Sequence, residues 1–436
     1  MHRVELVTLK RRMPRASSPT VKVAAGSVAV KLSGINDRGG VPSIGFRQIR
    51  ELLSDSSAHA PRFSPLHDVH VALGASFTDF AGWEMPVRYT SDLAEHHAVR
   101  ESAGIFDISH MAEISVTGPD AVAYLNYAVA ADVSKLSIGQ AKYSLLLNEA
   151  GGIIDDLIIY RLGLEHFLVV ANAGNRFNVV PPLQTRTAGF RAIVVDESDE
   201  TALIAVQGPQ ALSILEQTVG LQLSEAASER PQSTLTELKY YWSLPATFLG
   251  NPVLIGRTGY TGEDGFELYI DVAHARELWN ALSQSGADKG LVPAGLACRD
   301  TLRLEAGMPL YGHELDLTTR PDQAGLARAV AFAKEGDFVG RAALEQPLPA
   351  NAPVLVGLVG EGKRAARAEY EVFSGDARVG VVTSGALSPT LGYPVAMAFV
   401  DAASANAGTV LDVDIRGSRH SYTVTPLPFY SRKKNS

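Results

Sequence analysis

Two adjacent aspartates, Asp155 and Asp156, interrupt an aliphatic stretch, EAGGIIDDLIIYRL, that spans residues 149–162. In a β-strand neighbouring side chains point to opposite faces, so only Asp156 would share a face with Ile158 and Tyr160. Burying an unpaired carboxylate costs several kcal/mol, roughly. At least one of the two must therefore point at a partner or a ligand.

A third carboxylate lies in the segment RTGYTGEDGFELYI, residues 257–270, where three glycines surround Tyr260. The glycines are equally well explained by an ordinary hairpin loop. Glu267, however, alternates with Phe266 and Leu268 as part of a strand. A carboxylate in that position can accept two parallel N–H bonds, as from an amino-pyrimidinone edge.

Two arginines, Arg299 and Arg303, stand four residues apart in GLACRDTLRLEAGMPLYGHE and share one face of a predicted helix that stops at Gly307. A like-charge pair at this spacing costs about 0.2–0.5 kcal/mol. The pair therefore favours an anion nearby, and Asp300 or Glu305 could supply it internally.

Trp83 and Met85 lie in the segment FTDFAGWEMPVRY. Two roles are possible for them: packing in the core, or forming an aromatic wall for a flat ligand. His96 and His97 diverge on a helix and cannot share a metal. The single cysteine, Cys298, is expected to pack inside its helix, and no metal site is expected.

Composition narrows the class of protein. The chain has 436 residues, 46% hydrophobic and 20% charged, which is typical of globular proteins of two to four domains. A net charge of −8 argues against nucleic-acid binding. No apolar run is long enough to span a bilayer, so no membrane association is expected.

The elements that must position these side chains divide the chain into three parts. Residues 1–61 are basic and weakly periodic, which predicts a disordered arm, a start codon assigned too far upstream or an organelle transit peptide. Residues 62–350 alternate helix and strand patterns, including helices over residues 92–104 and 272–286. Residues 351–436 are short strands separated by Gly and Pro turns, which predict an antiparallel β domain, barrel or sandwich.

Taken together and in order, these segments resemble the aminomethyltransferase of the glycine cleavage system, the T-protein family. The motifs that carry the resemblance are FAGWEMP, EHHAVRESAGIFDISHM, AKYSLLLNEAGGIIDDLIIY, VVANAGN, VQGP, RTGYTGEDGFE, GLACRDTLRLEAGMPLYGHE, DFVGRAAL and VTSGALSPTLGY. They run from about residue 65 to residue 429, nearly the whole chain outside the arm.

The resemblance implies an α+β fold: a three-lobed cloverleaf of two interleaved α/β lobes and a C-terminal antiparallel β-barrel around a central folate channel. It implies an enzyme of one-carbon metabolism that takes an aminomethyl group from the lipoyl arm of H-protein. Tetrahydrofolate is the co-substrate, and the products are 5,10-methylenetetrahydrofolate, ammonia and the dihydrolipoyl carrier. The implied location is cytoplasmic, or mitochondrial if the arm is a transit peptide.

The resemblance also assigns roles residue by residue. The second aspartate of the pair, Asp156, matches the family's catalytic carboxylate, and Asp155 is expected to serve structure through a cap or an ion pair. Glu267 matches the carboxylate that holds the pterin edge, and Arg299 matches an arginine that contacts the ligand. The remaining positions that line the family's folate site are Trp83, Met111, Tyr143, Tyr160, Asn172 and Tyr260.

The chain departs from the family pattern at Arg320, where a small hydroxyl is usual, and at Arg328, where Trp is common. Two other functions remain as alternatives. One is a folate-binding iron–sulfur assembly factor of the same fold, whose Lys-Gly-Cys-Tyr-x-Gly-Gln motif is missing here. The other is the folate half of a sarcosine or dimethylglycine oxidase, which needs a flavin domain with a dinucleotide fingerprint that this sequence lacks.

Overall fold

The computed structural model describes residues 61–432. The predicted arm, residues 1–61, therefore lies outside the described residues apart from Pro61.

The described residues contain strands and helices in frequent alternation. Numbered along the chain, the strands are β1 (Arg62–Phe63), β2 (Ser76–Phe80), β3 (Trp83–Arg88), β4 (Ala103–Asp107), β5 (Ala112–Thr117), β6 (Ala141–Leu147), β7 (Ile153–Arg161), β8 (His166–Ala171), β9 (Ile193–Asp196), β10 (Thr201–Gln207), β11 (Leu221–Leu223), β12 (Ser243–Phe248), β13 (Asn251–Gly256), β14 (Gly265–Asp271), β15 (Leu291–Pro293), β16 (Pro353–Gly360), β17 (Glu371–Ser374), β18 (Ala377–Leu387), β19 (Pro394–Asp401), β20 (Val410–Ile415) and β21 (Ser418–Thr425). The α-helices are α1 (His67–Ala72), α2 (Asp92–Glu101), α3 (Ala121–Ala128), α4 (Arg176–Thr185), α5 (Ala211–Gln217), α6 (Glu225–Ser228), α7 (Ala275–Gly286), α8 (Leu296–Glu305) and α9 (Arg341–Leu344).

Two larger sheets are built from interleaved parts of the chain. One has seven strands in the order β11-β12-β13-β14-β10-β4-β15, and the other has five in the order β6-β7-β8-β5-β9. The chain leaves the first sheet after β4, forms the whole of the second, and returns at β10. This connectivity is the predicted pair of interleaved α/β lobes. A small sheet, β1-β3-β2, precedes them.

The C-terminal part is a closed barrel of six antiparallel strands, in the order β16-β19-β18-β17-β20-β21. The structure confirms the predicted barrel and decides against the sandwich. Closure pairs every strand on both sides, which removes exposed sheet edges.

Helix boundaries follow from local patterns with one correction. The predicted helix over 272–286 is α7, which begins at Ala275 after a 3₁₀ turn and buries Leu278, Trp279 and Leu282 at helical spacing. The helix predicted over residues 92–104, with Gly104 at its end, is α2. It ends earlier, at Glu101, and Gly104 lies within β4. A Cβ at Gly104 would come 2.5 Å from a Val99 methyl group, so the glycine allows β4 to pack against α2.

An apolar cluster lies between the two larger sheets and contains side chains from both. It includes Leu168 and Val170 from the five-stranded sheet and Leu203 and Tyr269 from the seven-stranded sheet. Strand β7 therefore has one face in the core of its own lobe and the other towards the second sheet. Within residues 61–432, no helix is long and apolar enough to cross a membrane.

Candidate active site

A cavity of about 300 Å³ opens where β7 and β8 face β14, the loop that precedes β14, and α8. Seven of the nine predicted site residues line it: Met111, Tyr143, Asp156, Asn172, Tyr260, Glu267 and Arg299. Two of the nine, Trp83 and Tyr160, are not part of its wall. The apolar part of the wall comes from Ile108, Ile158, Val170, Leu203 and Leu326.

The Asp156 carboxylate is held at the cavity wall by two donors. The Tyr143 hydroxyl donates to Oδ2 at 3.1 Å, and the Asn172 side-chain amide donates to Oδ1 at 2.7 Å. Tyr143 is on the neighbouring strand β6, and Asn172 directly follows β8 on the other side of β7. The antiparallel pairing of three strands thus fixes the carboxylate in position from both sides.

Asp155 is completely buried and faces away from the cavity, in the direction that strand alternation predicts. The prediction that Asp155 forms a cap or an ion pair is wrong. Instead it accepts from the Asn172 backbone N–H and side-chain amide, both at 2.9 Å, and from the Asn175 amide at 2.7 Å. The chain turns into a short 3₁₀ helix after Asn172, so one amide nitrogen reaches both carboxylates.

The two carboxylates titrate together. Burial and the charge of Asp156 raise the pKa of Asp155 to about 8, although the Asn172 and Asn175 amides oppose this. Burial also raises the pKa of Asp156, while the Tyr143 and Asn172 donors lower it. Among the described residues, the pair accepts from amide N–H groups and from the Tyr143 hydroxyl, and these donors offset part of the cost of burying the ionised forms.

Glu267 lines the cavity near Tyr160, which follows Asp156 by four residues along β7, a separation of roughly 13 Å in an extended strand. Its Oε2 accepts from the Thr258 hydroxyl at 2.6 Å, and that hydroxyl also meets the Tyr160 hydroxyl at 2.8 Å. The Tyr269 hydroxyl extends the chain to Tyr160 at 3.4 Å. Burial raises the pKa of Glu267, and the Thr258 hydroxyl bond opposes this. Tyr160 therefore stands behind the cavity wall and supports Thr258 and Glu267 from there.

Arg299 and Arg303 have different surroundings despite sharing a helix face. Arg303 is satisfied internally by Asp300 at 2.7 Å and Glu314 at 3.1 Å. The Arg299 guanidinium instead lies over the Tyr260 ring, 4.6 Å from its centroid, and lines the cavity. Burial lowers the pKa of Arg299. Within residues 61–432 Arg299 has no carboxylate ion pair, so it presents a positive charge to the cavity.

Trp83 packs in a separate cluster with Met85 and Ala173. Only 6% of its surface is exposed, and the Arg62 guanidinium covers its ring at 4.0 Å. The core-packing alternative therefore describes Trp83. Cys298 is also completely buried, and its thiol donates to the Gly295 carbonyl at 3.2 Å.

Sequence reasoning missed several residues of the cavity wall. Thr258, Tyr241, Met308 and Pro309 line it. Thr258 belongs to a motif that was singled out, but a threonine next to glycines is unremarkable without its partner Glu267. Tyr241 has a left-handed backbone, φ 63°, which no sequence pattern predicted.

A second, more open cavity of about 600 Å³ adjoins the first and shares Tyr143, Tyr241 and Leu326 with it. Its wall carries three basic side chains, Lys135, Lys142 and Arg328, beside one acid, Asp132, which pairs with Lys135 at 2.9 Å. The unusual Arg328 thus contributes positive charge to this cavity. The other departure, Arg320, pairs with Asp322 at 2.9 Å and donates to three backbone carbonyls.

No group of three or more His, Cys, Asp or Glu side chains within residues 61–432 is placed to hold a metal ion. The donors and acceptors of the cavity are carboxylates, hydroxyls and amides together with one guanidinium. These can bind and orient an organic ligand with N–H donors at one end and stabilise positive charge at the other.

Both the interleaved lobes and the barrel match known protein families. The GCVT N-terminal domain matches residues 66–334, and the glycine cleavage T-protein C-terminal barrel domain matches residues 354–431. An aminomethyltransferase of Streptomyces avermitilis is 55% identical over 383 residues, which cover 87% of this chain and all of that protein. An aminomethyltransferase of Cutibacterium acnes is 56% identical over 85% of this chain and 99% of its own length.

Among solved structures, the glycine cleavage system aminomethyltransferase T of Bartonella henselae superposes with a TM-score of 0.75 at 39% identity. The match covers 85% of this chain and 98% of that one. Because both domains match and the relatives are matched over nearly their whole lengths, the chain belongs to the aminomethyltransferases, the T-protein family of the glycine cleavage system.

Proposed function

We propose that this protein transfers the aminomethyl carbon from the lipoyl arm of H-protein to tetrahydrofolate, forming 5,10-methylenetetrahydrofolate and releasing ammonia. The observation that carries the proposal is that Asp156 and Glu267 line one cavity. Asp156 accepts from an amide and a phenol, and Glu267 is supported from behind by the hydroxyls of Thr258 and Tyr160. A carboxylate at each end suits a ligand that is held at one edge and reacts at the other.

The fit to tetrahydrofolate rests on the cavity's shape and donors. Glu267 can accept two N–H bonds from the amino-pyrimidinone edge of the pterin. The flat ring system would lie between apolar side chains such as Ile158, Val170 and Leu203. Tyr241 and Tyr260 offer aromatic surface near the reacting end. Tetrahydrofolate supplies the amine nucleophiles of the reaction.

The adjoining basic cavity extends this fit. Folate carries an anionic glutamate tail, and a stretch of wall with Lys142 and Arg328 is complementary to carboxylates. The two cavities share Tyr143, Tyr241 and Leu326 in their walls, and this adjacency supports one ligand that reaches from the first cavity into the second.

The role we assign to Asp156 is electrostatic. Positive charge develops on the transferred carbon as its bond to nitrogen breaks, and an ionised carboxylate at that position stabilises it. The Tyr143 hydroxyl and Asn172 amide keep the carboxylate oriented without moving during the reaction. Asp156 can also receive a proton from the attacking folate amine.

The test uses lipoylated H-protein loaded with the aminomethyl group. Ammonia release is followed with the full-length protein in the presence and absence of tetrahydrofolate. We expect release to depend on both the protein and tetrahydrofolate, with methylenetetrahydrofolate formed in equal amount. Folate-independent release, or no release at all, would reject the proposed reaction.

A further inference from the structure

A third, smaller cavity of about 190 Å³ lies on the far side of Asn172 and Arg299 from the main cavity. The two cavities share Met111, Asn172 and Arg299, so these side chains lie between the two spaces, and the Asn172 amide contacts Asp156 there.

The orientation of the Asn172 side chain between these cavities is fixed by charge. Its nitrogen donates to Asp155 at 2.9 Å and to Asp156 at 2.7 Å, so the nitrogen must face the carboxylates. The carbonyl oxygen of the same amide therefore points away from them. Among the described residues no group donates to that oxygen, which leaves a free acceptor next to the proposed reaction centre.

The rest of the cavity wall is polar on one side. The His110 ring lies in the wall, and neither of its nitrogens has a hydrogen-bond partner among the described residues. Burial, with the charge of Arg299, lowers the pKa of His110 to about 3, so the imidazole is neutral. Asn175 and Tyr311 also line this cavity. The wall thus combines acceptors with donors, and Arg299 opposes binding of a cation.

We propose that this cavity receives the nitrogen of the aminomethyl group when it leaves as neutral ammonia, with the Asn172 carbonyl oxygen accepting from its N–H groups. The inference rests on the proposed function and assigns a place to its smallest product. Ammonia has three donors and one lone pair, which match the Asn172 oxygen and the N–H groups of Arg299.

The chemistry balances without a further reactant. The carbon–nitrogen bond of the aminomethyl group breaks, and its electron pair leaves with nitrogen. The lone pairs of two folate nitrogens then form the two new bonds to carbon, and the carbon–sulfur bond breaks with its electrons on sulfur. The two protons lost from the folate nitrogens go to the carrier sulfur and to ammonia.

The test fills the cavity without touching the folate wall. Ala173 lines the small cavity and is not part of the main one, so Ala173→Val removes space from the small cavity alone. Ala402→Val is the matched control, because Ala402 is also the first residue of a 3₁₀ turn but is exposed. The reaction is run in the ammonia-consuming direction, with methylenetetrahydrofolate, dihydrolipoyl H-protein and ammonium chloride.

We expect Ala173→Val to raise KM for ammonium about tenfold, as for loss of one favourable polar contact, with the tetrahydrofolate Kd unchanged. The control should match the parent protein. If the packing of Ala173 with Trp83 prevents folding, Gly174→Ala is the second variant, since its Cβ would come 3.3 Å from the Ala81 methyl and narrow the same cavity.

A second variant pair tests polarity. His110→Phe keeps the ring but removes both nitrogens, and His97→Phe makes the same change at a side chain outside the cavities. We expect a higher KM for ammonium from the first, and partial recovery in His110→Gln. The pH profile of KM should keep its shape, because His110 is neutral throughout the working range.

Three results would overturn the inference. An unchanged KM for ammonium in both cavity variants would mean that the space holds water only. A raised KM for the H-protein carrier in place of ammonium would make the cavity part of the carrier-arm route. If the parent protein transfers nothing in either direction, the proposed function itself fails and this inference falls with it.

Discussion

At the residue scale, the main finding is that one amide donates to two carboxylates with different surroundings. Asn172 donates to Asp155 in the core and to Asp156 at the cavity. Strand alternation places the two aspartates on opposite faces, yet both accept a hydrogen bond from the same amide nitrogen. The catalytic candidate is therefore the residue whose second partner, Tyr143, also lines the cavity.

Asp156→Asn should separate binding from chemistry. It preserves shape but removes the charge, so tetrahydrofolate should still bind while aminomethyl transfer falls by about 10²–10³-fold. Burial raises the folded-state pKa of Asp156, so its ionised form opposes folding as pH rises above the ordinary carboxylate range. The variant should thus be at least as stable as the parent at neutral pH. Single-turnover transfer and urea unfolding measure the two effects.

Asp155→Asn is the internal control for that variant. It puts an NH₂ group in place of one of the two oxygens that accept from three N–H donors, and amide N–H groups cannot reverse to accept. Two donors then face each other in the core, so the variant should lose stability more than it loses rate per folded molecule. Near-UV circular dichroism gives the folded fraction. If this variant proves inactive and Asp156→Asn merely unstable, the roles of the two aspartates are the reverse of our assignment.

Glu267→Gln should weaken folate binding more than turnover. The change replaces one acceptor by a donor facing the pterin edge, and contacts made equally in the ground and transition states act on affinity. Calorimetry should give a tetrahydrofolate Kd raised by about 10–100-fold, on the scale of a lost hydrogen bond to a charged group. Glu101→Gln, at an exposed side chain, should leave the Kd unchanged. Unchanged affinity in both would refute the assigned contact.

At the element scale, the glycine-rich loop between β13 and β14 is shaped by a side chain from a different strand. A Cβ at Gly259 would come 2.0 Å from the Gln207 amide oxygen, and one at Gly265 would come 2.3 Å from its nitrogen. Gln207 in turn donates to the Thr258 carbonyl at 3.0 Å and accepts from the Thr261 hydroxyl at 2.9 Å. The glycines allow the loop to close around Gln207, which positions the site residues that precede and follow them.

Gly259→Ala should therefore disturb the loop and the site together. The added methyl group collides with a buried, hydrogen-bonded side chain, which should cost about 1–3 kcal/mol of unfolding free energy. Because Thr258 and Tyr260 flank this glycine, folate affinity should fall as well. Gly163→Ala is the control, since its Cβ would lie at an ordinary 3.5 Å from its nearest neighbour. Urea unfolding of both variants that gives equal stability would contradict this role of Gln207.

At the scale of the whole molecule, a buried ionic network joins the barrel to the seven-stranded lobe. Arg100 on α2 pairs with Glu263 at 2.9 Å and with Glu305 on α8 at 2.8 Å. Glu305 also accepts from Ser388 and from the Thr390 hydroxyl, at 2.7 Å for the latter, in a loop of the barrel. The network holds α2, α8 and the barrel in one arrangement around the site.

This network predicts a specific acid sensitivity. Burial alone would raise the pKa of Glu305, but His96, Ser388 and Thr390 lower it to about 2. A lowered carboxylate pKa contributes stability above the unfolded-state value and loses it as pH falls towards the folded value. Glu305→Gln should thus cost about 1–3 kcal/mol at pH 7. The difference from the parent should shrink between about pH 4.5 and pH 2.

Urea unfolding across that pH range is the measurement. Glu345→Gln, at a half-exposed residue in an i,i+4 pair with Arg341, is the control and should cost under about 0.5 kcal/mol at every pH. A Glu305→Gln cost that is independent of pH would show that the carboxylate's charge is not what joins the lobes.

We propose that the arm, residues 1–61, is dispensable and that the catalytic unit is the core, residues 62–350, followed by the barrel, residues 351–436. The two relatives are matched over 99–100% of their own lengths but cover only 85–87% of this chain, and the family match begins at residue 66. A chain that starts at Pro61 should unfold at the same urea concentration and transfer at the same rate as the full chain.

A chain that starts at Pro65 is the comparison for that truncation. It loses Arg62, which pairs with Asp199 at 2.7 Å, and Ser64, which donates to the buried Asp107. It should be less stable than the chain from Pro61. If both truncated chains lose the same amount of stability, residues within 1–60 contribute to the stability of the folded protein and our boundary is wrong.

The sequence by itself determined the order of elements, the barrel, the direction in which Asp156 faces, and seven of the residues that meet at the cavity. These follow from alternation, from glycine and proline positions, and from the resemblance of the motifs in order. Each depends on short-range geometry, on patterns within one segment or on the order of the matching motifs along the chain.

Only the tertiary structure decided which polar groups pair across segments. Asn172 reaches Asp155 because the chain turns at the end of β8, Gln207 fills the glycine loop from another strand, and Trp83 is covered by Arg62. Arg303 is neutralised by Glu314 while Arg299 is left to the cavity. Such pairings join residues 11 to 51 positions apart, and their distances are set by the tertiary fold, which no local periodicity contains.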